Sequence, residues 1–308
     1  MSDTTTHPAK APSFREWLTA ENPVSPAQAR AQQVWLGWRK LRRNGSALLG
    51  FALLAIIVFA AVFAPLLATQ DIFTQDLANR LQGPSLQHWF GTDELGRDIY
   101  SRLLFGARIT LYIACLTAVI AAPVGLIVGT VSGYFGGWVD IVLMRITEIF
   151  LAFPSLVLAL AFVAALGPGI NNAIIAISLA SWPPIARLAR AETMVIRRSD
   201  YISAVRLQGA SNTRLIVSHV MPMCIPSVIA RITLNMASII LSAAGLGFLG
   251  LGAQPPSPEW GAMLSAARQF ILTSPHVAAF PGIAILVTSI AFNLVGDGLR
   301  DVLDPRHE

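Results

Sequence analysis

The sequence predicts an all-α, polytopic membrane protein with six transmembrane helices and both termini cytoplasmic. Three observations carry this reading. Hydrophobic residues make up 54% of the 308-residue chain and charged residues only 13%, about half the charged share of a soluble domain. The mean hydropathy is +0.61. Six apolar runs, at about 46–68, 110–132, 138–166, 171–189, 227–251 and 279–299, each reach or approach the ~20 residues needed to cross a hydrocarbon core.

Orientation follows from the basic residues, which favour the cytoplasmic side. With the N-terminus inside, the inner segments hold Arg30, the cluster at 39–43, Arg187, Arg190, Arg197, Arg198, Arg206, Arg214, Arg300 and Arg306. The two large outer segments, 69–108 and 253–281, hold only Arg80, Arg97, Arg102, Arg108 and Arg268. In a chain this apolar, the net charge of +5 reflects that bias, and no nucleic-acid partner is expected. Cys115 and Cys224 stand alone, without metal-ligand spacing or a disulfide framework.

Taken in order, residues 1–30 read as a disordered cytoplasmic N-terminus rich in Thr, Ser, Pro and Ala. Residues 31–45 read as an amphipathic elbow helix on the membrane surface: Val34, Trp38 and Leu41 share a face, and basic residues gather at its end. A calmodulin-target helix shows the same pattern, but here an apolar run follows at once. That first run lies too deep in the chain for a cleavable signal peptide and is expected to stay as an anchor. The six-span body covers 46–302, and 303–308 forms a cytoplasmic tail. The third run is long enough to tilt or to extend past the bilayer; its part from Trp138 to Glu148 suits the interface, and Pro154 predicts a kink.

The stretch 197–226 is the longest polar interruption in the second half. Ser199 is an N-cap candidate, Gly209 suits the left-handed position that ends a first helix, and Ser211 can cap a second. Pro222 and Pro226 are expected to mark where the chain turns back toward the bilayer. Two short helices at an elbow suit a surface for another protein to push against. A solvated loop with some helix is the plainer alternative.

Other polar positions admit two readings. Asp93, Glu94 and Asp98 could form a cation site, but their spacing fits no EF-hand, and a Gly-flanked acidic turn of this kind commonly caps a helix. Glycines 245, 247, 250 and 252 read as a hinge or as points of close helix approach. Asp297 reads as a proton-relay group or as an interfacial anchor paired with Arg300. Asn235 and Ser238, inside the fifth run, are candidates for lining a translocation pathway, while Arg231 can snorkel to the inner surface. The only lysines, Lys10 and Lys40, follow no glycine-rich loop, so no Walker A phosphate loop exists. The chain binds no cofactor by that route, and any ATP would be used by partner subunits.

The spacing of Ala204, Gly209 and Pro222 resembles the EAA loop of ABC importer permeases, in which Glu-Ala-Ala precedes Gly by three residues and Ile-x-Leu-Pro follows nine residues on. Ser203 stands at the glutamate position, Val205 at the second alanine, and His219 and Met221 at the isoleucine and leucine. Three further segments are similar to the dipeptide/oligopeptide (peptide/nickel) permeases: the outer stretch from Phe90 to Arg108, the stretch from Phe248 through Trp260 to Leu264, and the terminal stretch from Asn293 to Arg306. Together they resemble the C-type permease subunit of that family over roughly residues 35–306.

The resemblance implies a bacterial inner-membrane importer subunit for di- or oligopeptides, not itself an enzyme. Its implied partners are a homologous second permease subunit, two cytoplasmic ABC ATPases, an extracytoplasmic peptide-binding protein and membrane lipid. It further implies ATPase coupling through 199–222, with Tyr201, Ser203, Ala204, Val205, Gly209, Ala210, Leu215 and Pro222 as the coupling residues. Nickel chelates or glutathione are alternative cargoes. A stand-alone secondary transporter is the competing class, disfavoured by spans nearly free of charge at their middles.

Overall fold

The computed structural model describes Trp17 and residues 25–303. Apart from Trp17, the stretch expected to be disordered lies outside them as far as residue 24, as do the tail from 304 and the motif residues Asp304, Pro305 and Arg306; the side chains of Arg30 and Val34 are likewise not described. Among the described residues the chain is almost wholly helical, without strands; one isolated antiparallel bridge joins Thr92 and Asp98.

The first helix, α1 (Pro26–Arg43), starts earlier than the expected 31. Ser25 accepts from the Gln28 amide, and Pro26 occupies the first turn, where its missing N–H costs nothing. Trp38 and Leu36 are exposed, and Arg42 stacks over Trp38, as an amphipathic surface helix would require. Asn44 then caps α2 (Gly45–Val62) and bonds Asp301 at 3.0 Å. The single-turn α3 (Ala64–Leu67) follows.

An irregular outer segment leads to α4 (Ile99–Phe135), capped by Asp98, whose carboxylate accepts from the Ser101 amide at 2.8 Å. Asp93 accepts from the Arg97 amide and guanidinium, and Glu94 from Arg97 at 3.0 Å. The acidic turn thus acts as a helix start, and its carboxylates are occupied by protein donors.

Two shorter pairs come next. α5 (Gly137–Leu151) and α6 (Ser155–Leu166) meet at 91°, with the bend just before Ser155, where Pro154 was expected to kink the chain. The expected fourth run divides into α7 (Ile170–Ser181) and α8 (Pro183–Ile196). The tandem Pro183-Pro184 begins a new helix because neither residue can donate to a preceding turn. Glycines at 129 and 133 bring α4 against α8: a Cβ on Gly129 would sit 2.3 Å from the Ala186 carbonyl oxygen.

After the elbow helices α9 (Asp200–Leu207) and α10 (Asn212–Leu215), a π-helical turn at Ile216–Val220 joins α11 (Met221–Phe248). Neither Pro222 nor Pro226 turns the chain, contrary to the sequence reading. Segment 212–248 is continuous. Pro222 falls in the first turn of α11, directly after the wider π turn, where the Met221 amide reaches back to the Ile216 carbonyl. There its absent donor disturbs little.

The short α12 (Trp260–Ala267) tucks against α11, with Gly247 allowing Glu259 and Ala262 to approach; here the small residue serves close packing. The last helix is α13 (His276–Leu303). Asp297 and Arg300 on it are exposed and form no ion pair with each other, so that expected anchor is absent.

Among the described residues, four helical segments are long and apolar enough to cross a membrane: α2, α4, 212–248 and α13. The bent α5–α6 pair makes a fifth if counted as one. The main core joins α4, α7, α11, α12 and α13 through Ile113, Ile174, Ile240, Leu246, Trp260 and Phe292.

Candidate functional site

The 197–226 stretch folds as two short capped helices set at a glycine. Ser199 accepts from the Ile202 amide and Ser211 from the Arg214 amide, both at 3.4 Å; N-caps of this kind contribute about 1 kcal/mol each. Gly209 adopts φ +84°, and a Cβ at that position would meet nothing within 4 Å. The need for glycine there therefore rests on backbone conformation alone, since residues other than glycine rarely adopt that angle.

The elbow is held to the end of α4. Ile202, Leu215, Ile216, Val220 and Cys224 bury against Tyr134, with Val205, Ala210 and Met221 packed beside them. The Tyr134 hydroxyl donates to Asn212 at 2.9 Å and accepts from Arg206 at 3.2 Å, so one phenol bonds to both elbow helices. Arg206 also lies over the Tyr134 ring at 5.9 Å. Arg197 donates to the Tyr134 carbonyl at 2.5 Å, closing the C-terminal end of α4, where the last carbonyls lack helical donors. Across the elbow, the Tyr201 hydroxyl and His219 Nδ1 are 2.7 Å apart.

The eight residues singled out from the sequence separate by exposure. Tyr201, Ser203, Ala204, Gly209 and Pro222 are exposed, and Val205 and Ala210 are half-buried. Leu215 is 0% exposed. It cannot be a contact on the outer face; it anchors the second helix, contributing roughly 1.5–3 kcal/mol by burial.

Sequence reasoning missed Leu207, an apolar side chain 89% exposed at the end of α9. Its signal was available: on a helix of 3.6-residue period it points well away from the Ile202/Val205 face. Tyr134 and Asn212 were also missed, because their pairing joins residues 78 apart in the chain. The exposed rim carries Arg198 and Arg214 beside Asp200, which gives it a basic balance.

Asn235 is half-buried and Ser238 exposed, on one face of α11 with Arg231. They lie about 30 Å along the helix from Leu215 at 1.5 Å per residue, connected by one uninterrupted helical segment. Among the described residues no group of three or more His, Cys, Asp or Glu is placed to hold a metal ion.

Residues 121–308 match the family described as binding-protein-dependent transport system inner membrane component, and residues 32–84 match the N-terminal TM domain of oligopeptide transport permease C. The chain is 43% identical over 293 residues to the dipeptide transport system permease protein DppC of Alkalihalophilus pseudofirmus, covering 94% of this chain and 96% of that one. It is 46% identical over 291 residues to the glutathione transport system permease protein GsiD of Escherichia coli O6:K15:H31, covering 94% and 95%. Among solved structures, an inward-facing MetNI methionine ABC transporter aligns with a TM-score of 0.53 at 19% identity, covering 65% of this chain and 96% of that one. That last likeness speaks to the fold.

Proposed function

Because the chain belongs to the family of binding-protein-dependent transport system inner membrane components, as a multi-pass permease of the ABC peptide-importer type, we propose that it carries di- or oligopeptides inward. In this reading α7 and α8 complete a sixth crossing, and both termini and the elbow face the cytoplasm. The basic residues of the elbow and of the end of α1 support that orientation. A homologous second permease subunit pairs with this chain, two ATPase subunits dock on the elbow, and an extracytoplasmic binding protein delivers the peptide. ATP is bound and hydrolysed by the partner subunits.

The observation that carries the reading is the elbow itself: an exposed face of Tyr201, Ser203, Ala204 and Leu207, clamped by Tyr134 to α4 and continuous with α11. A push on that face moves the elbow as a unit, because its inner side is buried. Gly209 sets the angle, Val205, Ala210 and Leu215 hold it, and Pro222 starts the helix that bears Asn235 and Ser238, the residues we assign to the pathway. Alternating access then requires that ATP and the loaded binding protein prefer different states of the permease pair.

Glutathione, itself a tripeptide, is a second cargo favoured by the similarity to the glutathione permease. Proteoliposomes containing the full transporter test both. Uptake of labelled dipeptide or glutathione should require ATP, the binding protein and both ATPases. Uptake by this chain alone would overturn the reading in favour of a secondary transporter.

A further inference from the structure

Between α5 and α8 lies a cavity of about 390 Å³, lined by Met144, Thr147 and Glu148 on one side and Arg187, Arg190 and Ala191 on the other. Its place follows from its neighbours: α8 runs on into the elbow, and α5 begins just after the end of α4 that Tyr134 holds to the elbow, so in the orientation proposed above the cleft opens on the cytoplasmic side. Trp138, near the start of α5, is 80% exposed, as aromatic residues at the headgroup level commonly are. Asp140 binds α8 at the same level, accepting from Arg190 Nε and Nη2 at 2.5 Å each.

The polar groups of the cleft are otherwise mostly occupied. The Thr147 hydroxyl donates to the Leu143 carbonyl at 2.8 Å. Glu148 accepts from Arg145 at 3.2 Å. Arg190 is neutralised and oriented by Asp140. Arg187, one helical turn from Arg190 on the same face, has no hydrogen bond or ion pair among the described residues. The charges pair off and leave one guanidinium, that of the exposed Arg187, without a partner among the described residues at the mouth of the cavity between α5 and α8.

We propose that this cleft binds a phosphate oxyanion, with Arg187 as its principal donor. The guanidinium fork matches phosphate geometry and stays charged at any working pH. Basic pockets between helices at the membrane surface hold acidic lipid headgroups in this way, and the exposed Ile141 of α5, which flanks the Met144/Glu148 face, offers apolar surface for an acyl chain beside the cleft. A phosphatidylglycerol headgroup and free inorganic phosphate share the chemistry. The site is independent of the solute the transporter carries.

The test uses the purified full transporter in detergent, with dioleoylphosphatidylglycerol, dioleoylphosphatidylcholine or sodium phosphate added in turn. Native mass spectrometry counts retained lipid, and a thermal midpoint reports protection. Phosphatidylglycerol should be retained and protective where phosphatidylcholine is not, and Arg187→Gln should lower that retention about tenfold, the size expected for one charge-assisted contact. Arg187→Lys should retain an intermediate amount. Equal protection by sodium phosphate, lost in Arg187→Gln, would support the site and identify its occupant as free phosphate. Retention unchanged in Arg187→Gln, or an equal loss in the exposed control Arg300→Gln on α13, would overturn the proposal.

Discussion

The Tyr201 hydroxyl and His219 Nδ1 lie 2.7 Å apart, with their rings edge to face at 5.7 Å. Tyr201 is in the first turn of α9 and His219 in the π-helical turn of the segment that becomes α11. The pair therefore bridges the outer face of the elbow and the helix that leads into the membrane. A π turn holds one residue more than an α turn and is a common site of adjustment, and this contact fixes one of its side chains.

Tyr201→Phe keeps the ring and removes the hydrogen bond. The expected loss of stability is small, about 0.5–1.5 kcal/mol, with ATPase subunits still bound. Transport per ATP hydrolysed should fall, because α9 then has one tie fewer to the segment that becomes α11. An unchanged coupling ratio in proteoliposomes would show that the contact is incidental.

At Gly209 the prediction separates two substitutions. Gly209→Ala meets no neighbouring atom, so its cost is backbone strain alone, roughly 1–2 kcal/mol, and partial transport should remain. Gly209→Pro cannot adopt φ +84°; membrane insertion should persist while ATP-driven uptake is lost. Normal uptake by the proline variant would sink the elbow mechanism.

Leu207 and Leu215 differ in opposite ways. Leu215→Ala empties a fully buried position and should destabilise by about 2–5 kcal/mol, seen as a lower melting midpoint. Leu207→Ala should leave the midpoint within about 0.5 kcal/mol of the parent and weaken co-purification of the ATPase subunits. If Leu207→Ala binds them as the parent does, Leu207 lies outside the docking face.

Glu259 gives a pH dependence. Burial pushes its carboxyl above the usual range, opposed by the Gly261 and Ala262 amides, which donate to it at 2.9 Å each. A carboxyl raised in the folded state contributes stability that is present below its unfolded value and lost as pH rises through the folded one. The part of stability owed to this group should therefore decline as pH rises above the usual carboxylate range. Glu259→Gln should flatten that slope, measured as the melting midpoint of the purified transporter at successive pH values; a slope identical to the parent's would remove Glu259 from the account.

Much of the site was legible because its signals are local. Ser199, Gly209 and Ser211 act through their own turn of backbone, and a cap or a left-handed glycine has the same effect wherever the chain carries it. Pro154 bent the chain for the same reason. Pro222 failed as a turn marker because the effect of a proline depends on whether its missing donor is needed, and it falls in the first turn of α11 directly after a π turn; Pro226 sits inside α11, which runs on through it.

The amino-acid order by itself determined the helical class, the apolar segments, the family and the elbow's two-helix form, since composition, periodicity and capping operate over a few residues. Only the tertiary structure decided that Leu215 faces inward, that Tyr134 clamps both elbow helices, and that Arg187 has no counter-charge among the described residues. Those outcomes depend on which distant surfaces meet. Burial and charge pairing are properties of such meetings, and no stretch of chain carries them alone.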